Sequence, residues 1–306
     1  MLAYALRRAV AIVPTLFLIV TVVFFLLRLA PGGPFDAEQG LPREIKANLE
    51  AAYGLDRPLA VQYGRYLAGL LRGDLGPSLK MRDVQVSALI ARGFPISATL
   101  GASAVLLALF AGIPLGVASA LRRGKTADHL AMAFTSLGLA LPSFVIAPFL
   151  VLVFAVRLRW FPAGGWQADA SHLTLPALTL ALPVIAYIAR LTRGSLLEVL
   201  RADFIRTARS KGIPEAQVIL RHALRPALLP VVSFLGPAVA AVVTGSLVVE
   251  TVFGLPGTGR YLVDGAIDRD YPLVMGMVIL YGALTLLANL AADLLYGWLD
   301  PRVRHG

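Results

Sequence analysis

Leu191–Pro230 reads LTRGSLLEVLRADFIRTARSKGIPEAQVILRHALRPALLP, a long basic passage between two apolar runs. Its pattern is helical. Leu197, Leu200, Phe204 and Ala208 recur at three- and four-residue spacing, which predicts one apolar helix face. Arg201, Asp203, Arg206 and Arg209 occupy the rest of that helix. Gly212 breaks it, and Pro214 is well placed as the first residue of a second helix. Val218, Ile219 and Leu220 form the apolar part of the second helix, with His222 and Arg225 near its end. A helix–glycine–helix module on the rim of a membrane protein reads as a docking surface. The competing reading is a connector whose arginines touch lipid headgroups, and composition alone favours the connector.

The chain around this passage is far more apolar than a soluble domain. Of its 306 residues 58% are hydrophobic, against about 45–50% in soluble proteins, and mean hydropathy is +0.75. Six stretches carry no charge: Ala9–Leu27, Ser97–Leu121, Leu130–Val156, Leu173–Ala189, Pro226–Val249 and Pro272–Ala292. Each is close to or above the roughly 17–25 residues that cross a bilayer. Buried core helices fail as an alternative, because too little polar sequence remains to wrap them. The expectation is an all-α integral membrane protein with six transmembrane helices.

Lysine and arginine set the expected orientation. With both termini cytoplasmic, the inner segments hold Arg7 and Arg8, then Arg122, Arg123 and Lys125, then eight basic residues from Arg190 to Arg225, then Arg302 and Arg304. The short outer loops hold Arg157, Arg159, Arg260 and Arg269. The outer segment from Arg28 to Ile96 carries nine more, but loops beyond about 60 residues cross largely regardless of charge. The net charge of +10 thus reflects topology and contact with anionic membrane lipid, not nucleic acid. The N-terminal Arg-Arg and apolar run resemble a signal peptide, but the run is too long and leads into APGGP, which predicts an uncleaved first span.

Several chemistries are excluded. The chain has no cysteine, so disulfides, iron–sulfur clusters and thiol catalysis fall away. His129, His172, His222 and His305 are scattered, and no metal site is expected. Gly124-Lys125-Thr126 lacks the first glycine of a phosphate-binding loop, which is Ser119 here, and follows a membrane helix instead of a strand. Asp264, Asp268 and Asp270 lack the spacing of a calcium loop. No catalytic residue and no cofactor is expected, so the chain is read as a non-enzyme.

PGGP at Pro31–Pro34 stops the first helix. Beyond it Pro42–Tyr53 and Leu59–Leu71 look helical, and GDLGPSL at Gly73–Leu79 punctuates the end of a small external cap. GIPLG at Gly112–Gly116 is a small-xxx-small pattern that permits close helix packing. The expected organisation is a first span over 1–29, an external segment over 30–96, a core with five further spans over 97–300, and a cytoplasmic tail over 301–306.

Three passages carry a resemblance. DFIRTARSKG followed by RHALRPALLP is similar to the cytoplasmic loop of permease subunits of ATP-binding cassette importers, in the dipeptide/oligopeptide/nickel branch. ETVFGLPGTGR, from Glu250 to Arg260, resembles an outer-loop pattern of the same family, as does NLAADLLYGWLDPR from Asn289 to Arg302 near the C-terminus. The resemblance implies a type I importer permease fold with a cytoplasmic coupling helix in the loop 191–230. It places Arg206, Thr207 and Ala208 where the family consensus has Glu, Ala and Ala, and Gly212 as its glycine. Arg206, Thr207, Ala208, Arg209, Lys211 and Gly212 are then the expected contact with an ATPase. Glu250, Pro256, Gly257, Gly259 and Arg260 are the expected outer-loop motif. The implied partners are a second homologous permease subunit, two ATP-binding cassette ATPase subunits and an extracytoplasmic solute-binding protein. The implied location is the plasma (inner) membrane of a prokaryote. Peptides are the implied solute, with nickel complexes or glutathione as alternatives. A self-contained secondary transporter or channel is the rival, but the six charge-free stretches offer it no ionisable group for ion coupling.

Overall fold

The computed structural model describes residues 2–36, 42–81, 83–167 and 169–299. Among them the chain is helical, apart from loops and one isolated bridge between Pro77 and Gln85. Arg302, Arg304 and the rest of the expected tail lie outside the described residues. The helices are α1 (Leu2–Leu29), α2 (Arg43–Ala52), α3 (Leu59–Leu71), α4 (Val86–Leu121), α5 (Thr126–Ala140), α6 (Ser143–Leu150) and α7 (Ala170–Val199). They continue with α8 (Asp203–Ser210), α9 (Glu215–Gln217), α10 (Leu224–Ala227), α11 (Leu229–Phe253), α12 (Thr258–Ile267) and α13 (Tyr271–Leu299). Two wider π-helical windings, Val151–Arg157 and Val218–Ala223, extend α6 and α9.

Among the described residues, four candidate spans are single helices: Val10–Leu29, Val86–Leu121, Ala170–Val199 and Tyr271–Leu295. The other two are broken where one continuous helix was expected. Thr126–Ala140 and Ser143–Arg157 meet at 109°. Pro142 is the cause, since a proline ring clashes with a helical residue before it, and Leu141 is extended at φ −88°, ψ 120°. Glu215–Ala227 and Leu229–Ala240 meet at 48°, with Pro230 in the first turn of α11. Counting each bent pair as one span gives six.

The chain falls into two compact units. The first is built around Ser97–Leu255. Its central element is α7, whose apolar window is 61% buried against 11–33% for the other single-helix spans. Glycines let its neighbours come close, as the small-xxx-small pattern predicts. A Cβ on Gly112 would stand 2.9 Å from Ile188 Cγ2, one on Gly116 2.5 Å from the Ala189 carbonyl oxygen, and one on Gly138 3.0 Å from Ala186 Cβ. Tyr187 of α7 stacks on Phe234 of α11 with ring centroids 4.0 Å apart. The α7 start is capped by Asp169, which accepts from the His172 N–H at 2.9 Å.

The second unit joins Ala11–Ile96 to Pro256–Ala283. The two helical stretches expected in the cap form as α2 and α3, and neither has a buried residue. Long helices supply much of the core: Val20 and Phe24 of α1 pack with Met275 of α13, with Tyr63 and Leu67 of α3 against them, and Val86 and Leu89 of α4 pack with Leu273 and Met277. Phe35 and Leu79 of the cap are buried with Tyr271. Asp270, buried, ties the GDLGPSL segment down. It accepts from Ser78 Oγ, from the Leu79 N–H at 3.1 Å and from the Leu273 N–H at 3.2 Å. In the same unit the exposed Asp36 carboxyl is held below its usual range by a hydrogen bond from Lys46.

Candidate functional site

The Leu191–Pro230 passage does not keep a single helical phase. The α7 helix ends at Val199, and Ala202, extended at ψ 150°, begins α8. The turn between them resets the face of the helix. Leu197 and Leu200 therefore belong to the end of α7, and Phe204, expected on the buried face, is 51% exposed. Ile205 and Ala208 are buried in its place, in one cluster with Ala120 at the end of α4, Leu196 of α7, and Val218, Ala223 and Ala227. This cluster seats α8 on the ends of two long helices.

Gly212 ends α8 as the sequence predicts. Its φ is +73°, in the left-handed region where a Cβ is costly. The Gly212 N–H donates to the Arg209 carbonyl at 2.9 Å and the Ile213 N–H to the Ala208 carbonyl at 3.4 Å. Those two bonds, with Ile213 packed against the Ala208 cluster, make a Schellman motif. Pro214 takes the N-cap position of α9, one residue earlier than expected, at φ −56°, ψ 139°.

Of the six residues expected to make the contact, Arg206, Thr207, Arg209, Lys211 and Gly212 are exposed, and Ala208 faces inward. Arg206 reaches Asp203 at 3.2 Å with 75% of its side chain exposed. Arg209 spans the glycine turn, donating from Nε and Nη2 to Glu215 at 3.1 and 2.7 Å. That carboxylate raises the Arg209 pKa. Both pairs are solvated, so each adds at most about 1 kcal/mol to stability. Leu220, 65% exposed, and Phe204 add apolar area to this otherwise cationic surface. Among the described residues no cluster of three metal-ligand side chains exists. What the surface can do is dock.

The second expected motif is more buried than its reading as an outer loop implied. Glu250 lies inside α11, not in a loop, and is fully buried. Ser97 Oγ donates to it at 2.7 Å. Its carbonyl accepts from the Leu255 N–H at 2.8 Å, closing the helix at Gly254, φ +64°. Pro256 is exposed, Gly257 caps α12, and Gly259 is buried. Arg260 stands 3.6 Å from Asp264. A Cβ on Gly93 would meet the Thr258 nitrogen at 3.0 Å, so α4 packs directly on the backbone of this motif.

One cluster near α8 was not legible from the sequence. Asp128, Arg193 and Ser119 meet at the ends of α5, α7 and α4, although Asp128 and Arg193 are 65 residues apart. Their isolated positions beside apolar runs were the available signal, and nothing in the spacing paired them.

Residues 112–305 match the family described as binding-protein-dependent transport system inner membrane component, and residues 1–100 match its N-terminal component. The chain belongs to that family. This permease is 51% identical to the oligopeptide transport system permease protein OppB of Salmonella typhimurium, over 100% of both chains. It is 43% identical to the dipeptide transport system permease protein DppB of Bacillus subtilis, over 99% of this chain and 98% of the relative. Among solved structures it is similar to the MetNI methionine ABC transporter in inward facing conformations. The TM-score there is 0.58 at 18% identity, over 70% of this chain and 97% of that one. At that identity the likeness concerns the fold, which is the importer permease fold expected from the sequence. The protein is a multi-pass membrane permease, a transporter subunit.

Proposed function

We propose that this permease forms, with a second homologous permease subunit, the translocation path of an ATP-driven importer for oligopeptides or dipeptides. Full-length similarity at about half identity to oligopeptide permeases carries the reading. Two ATPase subunits hydrolyse ATP and bind the surface formed by Arg206, Thr207, Arg209, Lys211 and Gly212, with Ala208 packing inward to hold it. An extracytoplasmic solute-binding protein delivers the peptide. Glu250, Pro256, Gly257, Gly259 and Arg260 shape the opposite, outer side. The protein sits in the inner membrane with both termini and α8 in the cytoplasm and the 30–96 segment outside. The Schellman turn at Gly212 supports the docking role, because it leaves the exposed edge of α8 in one defined geometry on a buried base.

Uptake decides the solute. Proteoliposomes holding the two permeases and the ATPases, with the binding protein added, are expected to take up labelled oligopeptides or dipeptides only when ATP is present. Uptake of a nickel complex or glutathione in preference to peptide sinks the solute class. Gradient-driven uptake by this chain alone would support the secondary-transporter reading instead.

Orientation has its own test, made clean by the absence of cysteine. A cysteine replacing Lys46 or Asp264 should react with a membrane-impermeant thiol reagent in intact cells. One replacing Lys125 or Ser210 should react only after permeabilisation. The reverse pattern overturns the topology.

A further inference from the structure

We propose that Asp128 and Arg193 are a positioning pair that carries movement of α8 into α5. The inference rests on α8 being the ATPase contact. Asp128 opens α5 and is 2% exposed. It accepts from Arg193 Nε at 2.7 Å and Nη2 at 2.8 Å, a two-pronged contact with the facing helix α7. Ser119 Oγ at the end of α4 donates to the same carboxylate, and so does the Gly124 N–H at 2.9 Å from the intervening turn. One buried carboxylate thus ties together the ends of α4, α5 and α7.

The place of this knot gives it meaning. Arg193 lies one helical turn before Leu196, and Ser119 lies beside Ala120. Leu196 and Ala120 both belong to the cluster that seats Ile205 and Ala208 of α8. Beyond the knot the seam between α5 and α7 continues through Arg190 Nη2, which donates to Ser136 Oγ at 3.0 Å, and the close pass of Gly138 and Ala186.

Apolar side chains would hold such a seam about as well, because a buried ion pair is often no more stabilising than a hydrophobic replacement. What the forked pair adds is register. Two parallel N–H···O bonds hold at one relative position of the helices, and a slide of α7 along α5 breaks both. With sliding blocked, displacement of α8 and the α7 end is delivered to α5 and its 109° bend instead of being absorbed along the seam.

The test uses the complete reconstituted importer and compares D128N, R193Q and the D128N/R193Q double variant. Three quantities are read: complex assembled, ATP hydrolysed, and peptide taken up per ATP. D128N removes the charge and keeps one acceptor oxygen, enough for Ser119 or Gly124 but not for both, since they donate to different carboxylate oxygens. Each single variant is expected to assemble and hydrolyse ATP while uptake per ATP falls at least about fivefold. The double variant should be no worse than the worse single, because the two residues act as one device. R193K, which keeps the charge but not the fork, should recover only part of the loss. If a single variant fails to fold, the double variant, which strands no lone charge, carries the test. Unchanged uptake per ATP, or uptake that falls only in proportion to complex recovered, overturns the proposal. A wild-type complex that moves no peptide would instead fault the assigned function, and that outcome appears before any variant is made.

Discussion

Gly212→Val is expected to reduce copurification of the ATPase and peptide uptake by roughly tenfold, while the chain itself still inserts and survives purification. The cost is local and conformational. A left-handed backbone carries a penalty of about 1–2 kcal/mol for a residue with a Cβ, and a branched side chain is at the upper end. About 1.4 kcal/mol is a factor of ten in an equilibrium. Among the described residues, apart from Gly212's own chain neighbours, nothing lies within 4 Å of the Cβ position, so crowding adds little. The penalty instead falls on the Schellman turn that presents Arg209, Lys211 and the start of α9. Gly212→Asn is the informative partner variant, because asparagine enters the left-handed region far more readily. It should keep most uptake, and Gly212→Ala should fall between. Normal ATPase binding by Gly212→Val would make this passage a lipid-contacting connector, as composition alone favours.

Gly116→Leu is expected to do more damage and of another kind. Its Cβ would stand 2.5 Å from the Ala189 carbonyl oxygen and 2.6 Å from Thr192 Cβ. A backbone carbonyl in the middle of α7 cannot turn aside, so α4 and α7 must separate. Overpacking costs about 1–3 kcal/mol even where side chains can adjust, and here they cannot. The expected result is a clear drop in melting temperature of the purified permease and little assembled complex. Gly116→Ala should show the same defect in smaller degree. Gly194→Ala on the same helix α7 is the control, since among the described residues its Cβ meets nothing within 4 Å beyond its chain neighbours and its own helix backbone. Replacing that exposed helical glycine should stabilise by up to about 1 kcal/mol. Equal behaviour of the Gly116 and Gly194 variants would refute close packing of α4 on α7.

Much of the architecture is written locally. Charge-free runs of bilayer length report spans because an apolar helix cannot be left in water, and that holds whatever the neighbours are. Gly212 could be placed because a chain break between two amphipathic stretches, with proline two residues on, has few other solutions. GIPLG could be assigned to close packing because only small side chains permit it. The partner helix, α7, was not legible from the same letters.

What escaped the sequence depends on atoms brought together from far apart. Periodicity put Phe204 on the buried face because counting assumes unbroken helical phase, and the turn after Val199 resets that phase so that Ile205 points inward instead. A proline at 142 restricts the residue before it, but an angle of 109° is set by what α5 and α6 pack against. Glu250 read as part of a loop because a carboxylate is normally excluded from an apolar helix. Burial becomes tolerable once Ser97, 153 residues away in the chain, donates to it. Asp128 and Arg193 are the clearest case. Composition and spacing determined that this chain crosses a membrane, since that follows from each segment's own transfer energy. Which charges meet, and therefore which helices are locked together, was decided only by the tertiary structure, because ion pairing depends on separations in space that the order of residues does not encode.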